Sequence, residues 1–130
     1  MILLDTHALI WMLMEPEQLS QAATQAILTA RVRGERLACS QVSLYEIATA
    51  ARRRRINLKV PVQDFLDLLR VRVDFVPLTA EIAVCAGEIP EPFHGDPMDR
   101  IITATALLGG YDLVTCDGKI GKSGLCRVIW

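Results

Sequence analysis

Short apolar runs alternate with helix-compatible stretches along this whole chain, and that alternation restricts its fold more than any other feature. The runs are Met1 to Leu4, Arg36 to Ser40, Asp74 to Pro77, Asp112 to Cys116 and Arg127 to Trp130. Between them the spacing predicts helices over Ala8 to Met14, from Ser20 to about Arg33, and from Gln41 or Val42 to Arg54. Three more follow: Val62 to Val73, a segment capped by Thr79 and ending near Gly87, and one opened by Asp96-Pro97 and stopped at Gly109-Gly110. Ser20 and Thr79 are N-cap residues, Gly34 is a C-terminal stop, and a cap followed by proline is a favoured helix start. Strands separated by helices imply an α/β fold built on a parallel sheet. With no repeat or long linker, the 130 residues are expected to form one domain over 1–130.

The chain is 52% hydrophobic but only 5% aromatic, so its core is expected to be aliphatic. No apolar stretch approaches the ~20 residues of a spanning helix, and Asp5 interrupts the N-terminus before a signal-peptide core can form. No membrane and a cytoplasmic location are the expectation. Cys39, Cys85, Cys116 and Cys126 form no CxxC pair and stand among small or apolar neighbours, which predicts buried, reduced thiols. They and the scattered His7 and His94 do not supply the clustered ligands of a zinc site.

Carboxylates carry the chemistry. Asp5 closes the first apolar run, and in a parallel sheet ligands gather beyond the carboxyl ends of the strands. Glu46 lies one turn into the helix after the second strand, Asp99 in the first turn after the proline-rich loop, and Asp117 just past the fourth strand. Strand ends and the starts of following helices share one edge, so these four acids can converge there. Oxygen donors in a cluster suit Mg²⁺ or Mn²⁺ and the hydrolysis of a phosphodiester. Each acid also has a plainer reading: Asp5 as a cap (a role Thr6 could take instead), Glu46 as dipole-stabilised surface, Asp96 as the cap before Pro97, Asp117 as a turn residue. Setting aside these four acids and Asp96 turns the formal net charge of −1 into a mildly positive balance elsewhere, which leaves a polyanion admissible as partner.

Four segments resemble the motifs of one family. Leu3-Leu4-Asp5-Thr6-His7-Ala8-Leu9-Ile10-Trp11 looks like the opening of PIN-domain proteins, in particular the VapC-like toxins. Ser43-Leu44-Tyr45-Glu46-Ile47-Ala48, the segment His94 to Ala106, and Leu113-Val114-Thr115-Cys116-Asp117 resemble its second, third and fourth motifs. The resemblance implies a three-layer fold with a central parallel sheet flanked by helices. It implies a metal-dependent endoribonuclease, with Asp5, Glu46, Asp99 and Asp117 as catalytic acids. Asp5 and Asp99 would be the principal Mg²⁺ or Mn²⁺ ligands, with Asp96 beside them. The family pattern has a bulky apolar residue after the fourth acid, for which Ile120 is the counterpart. The resemblance also implies an RNA substrate, a cognate antitoxin and a homodimer.

Supporting roles fall to Thr6, Thr115 and Arg100: Thr115 as a hydrogen-bond partner of water at the site, Arg100 as an ion-pair or phosphate contact. His7 is expected to make a structural hydrogen bond at a helix start, and His94 to be an exposed loop residue. The run Arg52 to Arg55 complements a helix C-terminus or meets RNA or an acidic partner, and its end of the helix is the far one from Glu46. Two competing readings are a non-catalytic protein- or RNA-binding module and a haloacid-dehalogenase-like phosphatase. The second needs an acid two residues after the strand-end Asp, where this chain has His7.

Overall fold

The computed structural model describes residues 1–93 and 95–130, so the expectation for His94 lies outside the described residues. Five strands, β1 (Ile2–Leu4), β2 (Leu37–Ser40), β3 (Val73–Val76), β4 (Asp112–Val114) and β5 (Val128–Ile129), form a parallel sheet in the order β3-β2-β1-β4-β5. The α/β expectation therefore holds. Helices α1 (Thr6–Met14), α2 (Gln21–Val32), α3 (Val42–Arg52), α4 (Val62–Arg72), α5 (Ala80–Glu88), α6 (Pro97–Gly109) and α7 (Gly118–Ser123) connect and cover the strands.

Successive side chains of a strand face opposite sides, and β1 shows why its run is apolar throughout. Ile2 and Leu4 enter a core with Leu9, Ile27, Ile47, Phe65 and Leu69, from α1 to α4. Leu3 enters a second core with Ile102 and Ala106 of α6 and with Ile89, Phe93 and Ile120. Layers of helix thus lie on both faces. No helix among the described residues is long and apolar enough to cross a membrane.

Several sequence expectations shift. Helix α1 starts two residues early because Asp5, not Thr6, is its cap. Val73 joins β3 rather than α4, and Pro77 falls outside the strand. A 3₁₀ turn at Pro16–Gln18 and helix α7 were absent from the sequence pattern. Tyr45 and Leu68, apolar positions within their helices, are 63% and 45% exposed, because the buried stripes run through Ser43 and Ile47 on α3 and through Phe65 and Leu69 on α4. Leu108 is exposed near the end of α6. All four thiols are free as expected, yet only Cys39 is buried, and burial pushes its pKa up to about 12. Cys116 is exposed because it lies past the end of β4, in the turn toward α7.

The end of α3 is also unusual. The Arg54 N–H donates to the Ala51 carbonyl and the Arg55 N–H to that of Ala50, closing the helix in the same pattern that Gly34 and Glu35 use on α2. On α2 the left-handed position belongs to Gly34 at φ 71°, but on α3 it belongs to Arg54 at φ 57°. A side chain there costs about 1–2 kcal/mol, of which glycine's extra unfolded-state entropy would take back about 0.5–1 kcal/mol. Arg54→Gly should therefore raise stability by up to about 1 kcal/mol, seen as a higher urea midpoint at unchanged slope. A lower midpoint would mean that the arginine contributes contacts outweighing its strain.

Candidate active site at the sheet edge

Strand order reverses between β1 and β4: the chain steps from β1 to β2 and β3 on one side, then returns to lay β4 and β5 on the other. Such a switch point opens a crevice at the carboxyl ends of the two strands. Asp5 follows β1, and Thr115, Cys116 and Asp117 follow β4, so the two motifs line opposite lips of this crevice. The Asp5 N–H donates to the Val114 carbonyl at 3.1 Å, which ties the lips together.

Asp5 is 7% exposed, and its Oδ1 accepts the Ala8 N–H at 2.8 Å. The capping role is thus real and occupies one carboxylate oxygen. Burial raises the Asp5 pKa above the usual carboxylate value. The Thr115 hydroxyl, the Ala8 N–H and His7 offset part of that rise, and the Asp117 charge adds to it. Thr115 also accepts the Asp117 N–H at 3.1 Å, so one buried hydroxyl serves both acids. Asp117 caps α7 by accepting the Lys119 N–H at 2.8 Å. Only Ile120 is buried in that six-residue helix, and it plugs into the second core. Burying such a side chain is worth about 1.5–3 kcal/mol, enough to seat a glycine-rich turn and with it Asp117.

Glu46 is half-buried in the second turn of α3, and its Oε1 accepts the Thr6 hydroxyl at 2.5 Å. Thr6 Oγ1 also lies 2.9 Å from Ser43 Oγ, a fully buried hydroxyl. Burial raises the pKa of Glu46, the Thr6 hydrogen bond and His7 lower it, and the charges of Asp96 and Asp5 raise it further. Asp96 caps α6 as expected, accepting the N–H groups of Met98 and Asp99 at 2.9 and 3.2 Å. Asp99 lies half-buried in the first turn of α6. Asp5, Glu46, Asp96 and Asp117 are therefore within electrostatic reach of one another in a linked series, with Asp99 on the helix start that Asp96 caps.

Arg100 points into the loop before α6. Its guanidinium donates to the carbonyls of Ala86 and Ile89 and stacks over the Phe93 ring at 5.8 Å. It thereby fastens the end of α5 to the start of α6. His7 makes no hydrogen bond among the described residues, contrary to expectation. It is exposed and packs beside Trp11, ring centroids 5.5 Å apart. Its place as the second residue of α1 turns it outward, where its charge still reaches Asp5 and Glu46.

The donor set is all oxygen, crowded and partly desolvated, and a hard divalent cation would offset its mutual repulsion. Among the described residues no three His, Cys, Asp or Glu side chains close on one point as a ready-made cage. An open arrangement of this kind fits an ion held through one or two carboxylates that keeps several waters. The residues present therefore fit Mg²⁺ or Mn²⁺ better than a metal needing soft or nitrogen ligands.

Comparison with known proteins agrees with the fold described above. The PIN-domain family profile matches residues 2–123. Ribonuclease VapC22 of Mycobacterium tuberculosis is 41% identical over 119 residues, covering 92% of this chain and 88% of the relative. Among solved structures, VapBC2 from Rickettsia felis, bound to a promoter DNA fragment, superimposes with a TM-score of 0.73 at 16% identity. That match covers 98% of this chain and 97% of the other. VapBC from Salmonella typhimurium, also DNA-bound, gives 0.70 at 17% identity over 98% and 95% of the two chains.

Proposed function

The chain belongs to the PIN-domain family, and on that premise we propose that it is a cytoplasmic, metal-dependent endoribonuclease acting as the toxin of a toxin–antitoxin pair. The observation that carries the reading is the buried Asp5 carboxylate at the switch-point crevice, crowded by further acids. Asp5 and Asp99 would hold Mg²⁺ or Mn²⁺, with Glu46 and Asp117 completing the set. When bound, the ion would supply a Lewis acid for the phosphate and lower the pKa of a neighbouring water.

The chain's own residues provide the positioning. Ala8 and Thr115 fix the Asp5 carboxylate, Thr6 fixes Glu46, and Arg100 fixes the segment that delivers Asp96 and Asp99. No protein nucleophile is needed. Purified chain should cut a single-stranded oligoribonucleotide in Mg²⁺ or Mn²⁺, stop in EDTA, and resume when metal is restored. Cleavage that persists through exhaustive chelation, or that never occurs with either metal, would overturn the reading.

The VapBC relatives are complexes, and the partner proposed here is likewise a cognate antitoxin. A second copy of the chain suits the apolar cleft between α5 and α6, where Val84 and Leu107 are exposed. A monomer in sedimentation equilibrium would remove that element.

A further inference from the structure

A groove of about 440 Å³ runs lengthwise between α1 and α3, lined at one end by Thr6 and Glu46 and at the other by Arg53 and Arg55. The sequence placed the arginine run at the helix end remote from Glu46, and along the axis it is remote: seven residues correspond to about 10 Å. Both groups nevertheless border one continuous groove. The left-handed turn at Arg54 lets Arg53 and Arg55, on either side of it, line the same groove, whose lining does not include Arg52 or Arg54. Neither lining guanidinium makes an ion pair among the described residues, although Glu15 also borders the groove. Tyr45, 63% exposed, stands next to Glu46 in the same lining.

Guanidiniums without an ion pair among the described residues and an exposed aromatic ring along a channel are the two parts of a single-strand binding track: charge for the phosphates, a flat face for a base. The geometry points to the α1/α3 groove as the track that holds substrate RNA beside the scissile position. Arg53 and Arg55 grip backbone phosphates flanking the one that is cut, and Tyr45 stacks a neighbouring base. This rests on the endoribonuclease reading for the identity of the ligand. A helix-dipole role accounts for positive charge at the end of α3 but gives no reason for two of the arginines to share a groove with Glu46 and Tyr45.

The test uses the whole chain and a labelled single-stranded oligoribonucleotide. Binding is read by anisotropy in EDTA, and cleavage in Mn²⁺, each across a salt series. Arg53→Gln with Arg55→Gln should raise KM about tenfold or more, with kcat within about twofold. It should also flatten the log–log salt dependence of binding by about 1.4, the value for two single-strand phosphate contacts. Lysines at both positions should restore the salt slope. Tyr45→Ala should raise KM by about tenfold and Tyr45→Phe should leave it unchanged, since stacking needs the ring and not the hydroxyl.

Cleavage by the double glutamine variant with unaltered KM and salt slope would sink the track while leaving the nuclease intact. Arginine-dependent, salt-sensitive binding by a wild-type chain that cuts nothing would sink the nuclease reading and leave the track. An equal fall in kcat for dinucleotides too short to reach the arginines would show that the substitutions disturb the fold, and would also count against the track.

Discussion

Asp5→Asn should lose RNA cleavage and, at neutral pH without metal, melt at a higher temperature than the wild type. Asparagine caps a helix about as well as aspartate, so the bond from the Ala8 N–H survives the change. What disappears is a buried charge. Burial raises the folded-state pKa of Asp5 above its ordinary value of 3.8, so the folded chain prefers the protonated acid. That contribution to stability is complete below the unfolded pKa and is lost as pH rises through the raised folded value. Above it, the wild type carries an ionised carboxylate in a poorly solvated position and the variant does not. The melting difference should therefore be small near pH 3 and favour the variant increasingly toward neutrality.

Metal should reverse the order. An ion bound at about a hundred times its dissociation constant adds about 2.7 kcal/mol to the folded wild type, and the variant lacks the ligand. The cleavage deficit should exceed the roughly 10–100-fold that loss of an outer partner of a metal ligand typically costs. Calorimetric scans from pH 3 to 8, with EDTA and with Mn²⁺, read all of this. A variant less stable than the wild type at every pH would mean that the bonds from Ala8 and Thr115 outweigh desolvation. Retained cleavage would remove Asp5 from the mechanism.

Much of this was legible in the chain itself, and the exceptions have physical causes. Strands covered on both faces are apolar nearly throughout, so β1, and β2 up to Ser40, stand out without periodicity. The crowding of Asp5, Glu46 and Asp117 follows from a rule of parallel sheets that applies before the strand order is known, whereas the charge that reaches Glu46 from the start of α6 is that of Asp96, which the sequence offered as a cap. The order itself was not legible, because a helical crossover can return to either side of β1; only the structure puts Asp5 and Asp117 on two lips of one crevice. Helix α7 was hidden by Gly118 and Gly121, which oppose helix formation locally. The cap at Asp117 and the burial of Ile120 override them. The Arg53 and Arg55 placement was hidden for another reason: sequence distance along α3 says nothing about a groove running parallel to that helix. Thr6 was weighed as a rival cap, yet a threonine directly after a better cap has its hydroxyl free for other work.

That work yields the second large effect. Thr6→Val keeps the shape of the side chain and removes the hydroxyl that donates to Glu46 and pairs with Ser43. The Thr6 hydrogen bond lowers the pKa of Glu46, opposing the rise caused by burial, so its loss lets that pKa climb further. If Glu46 acts as an anion, the acid limb of the kcat/KM profile should move to higher pH. Activity near neutrality should fall about 10–100-fold, as for the loss of an outer partner of a metal ligand, and part of the deficit should close as the solution is made alkaline. Thr6→Ser, which restores a hydroxyl, should return the limb to its original place. Stability is a separate matter, because valine leaves the buried Ser43 hydroxyl without its partner at a cost of about 1–3 kcal/mol. Adding Ser43→Ala removes that orphan and should recover much of the stability while leaving the shifted pH limb untouched. A limb that stays put in Thr6→Val, with activity and stability falling together and both rescued by Ser43→Ala, would show that Thr6 only packs the helix pair and does not tune Glu46.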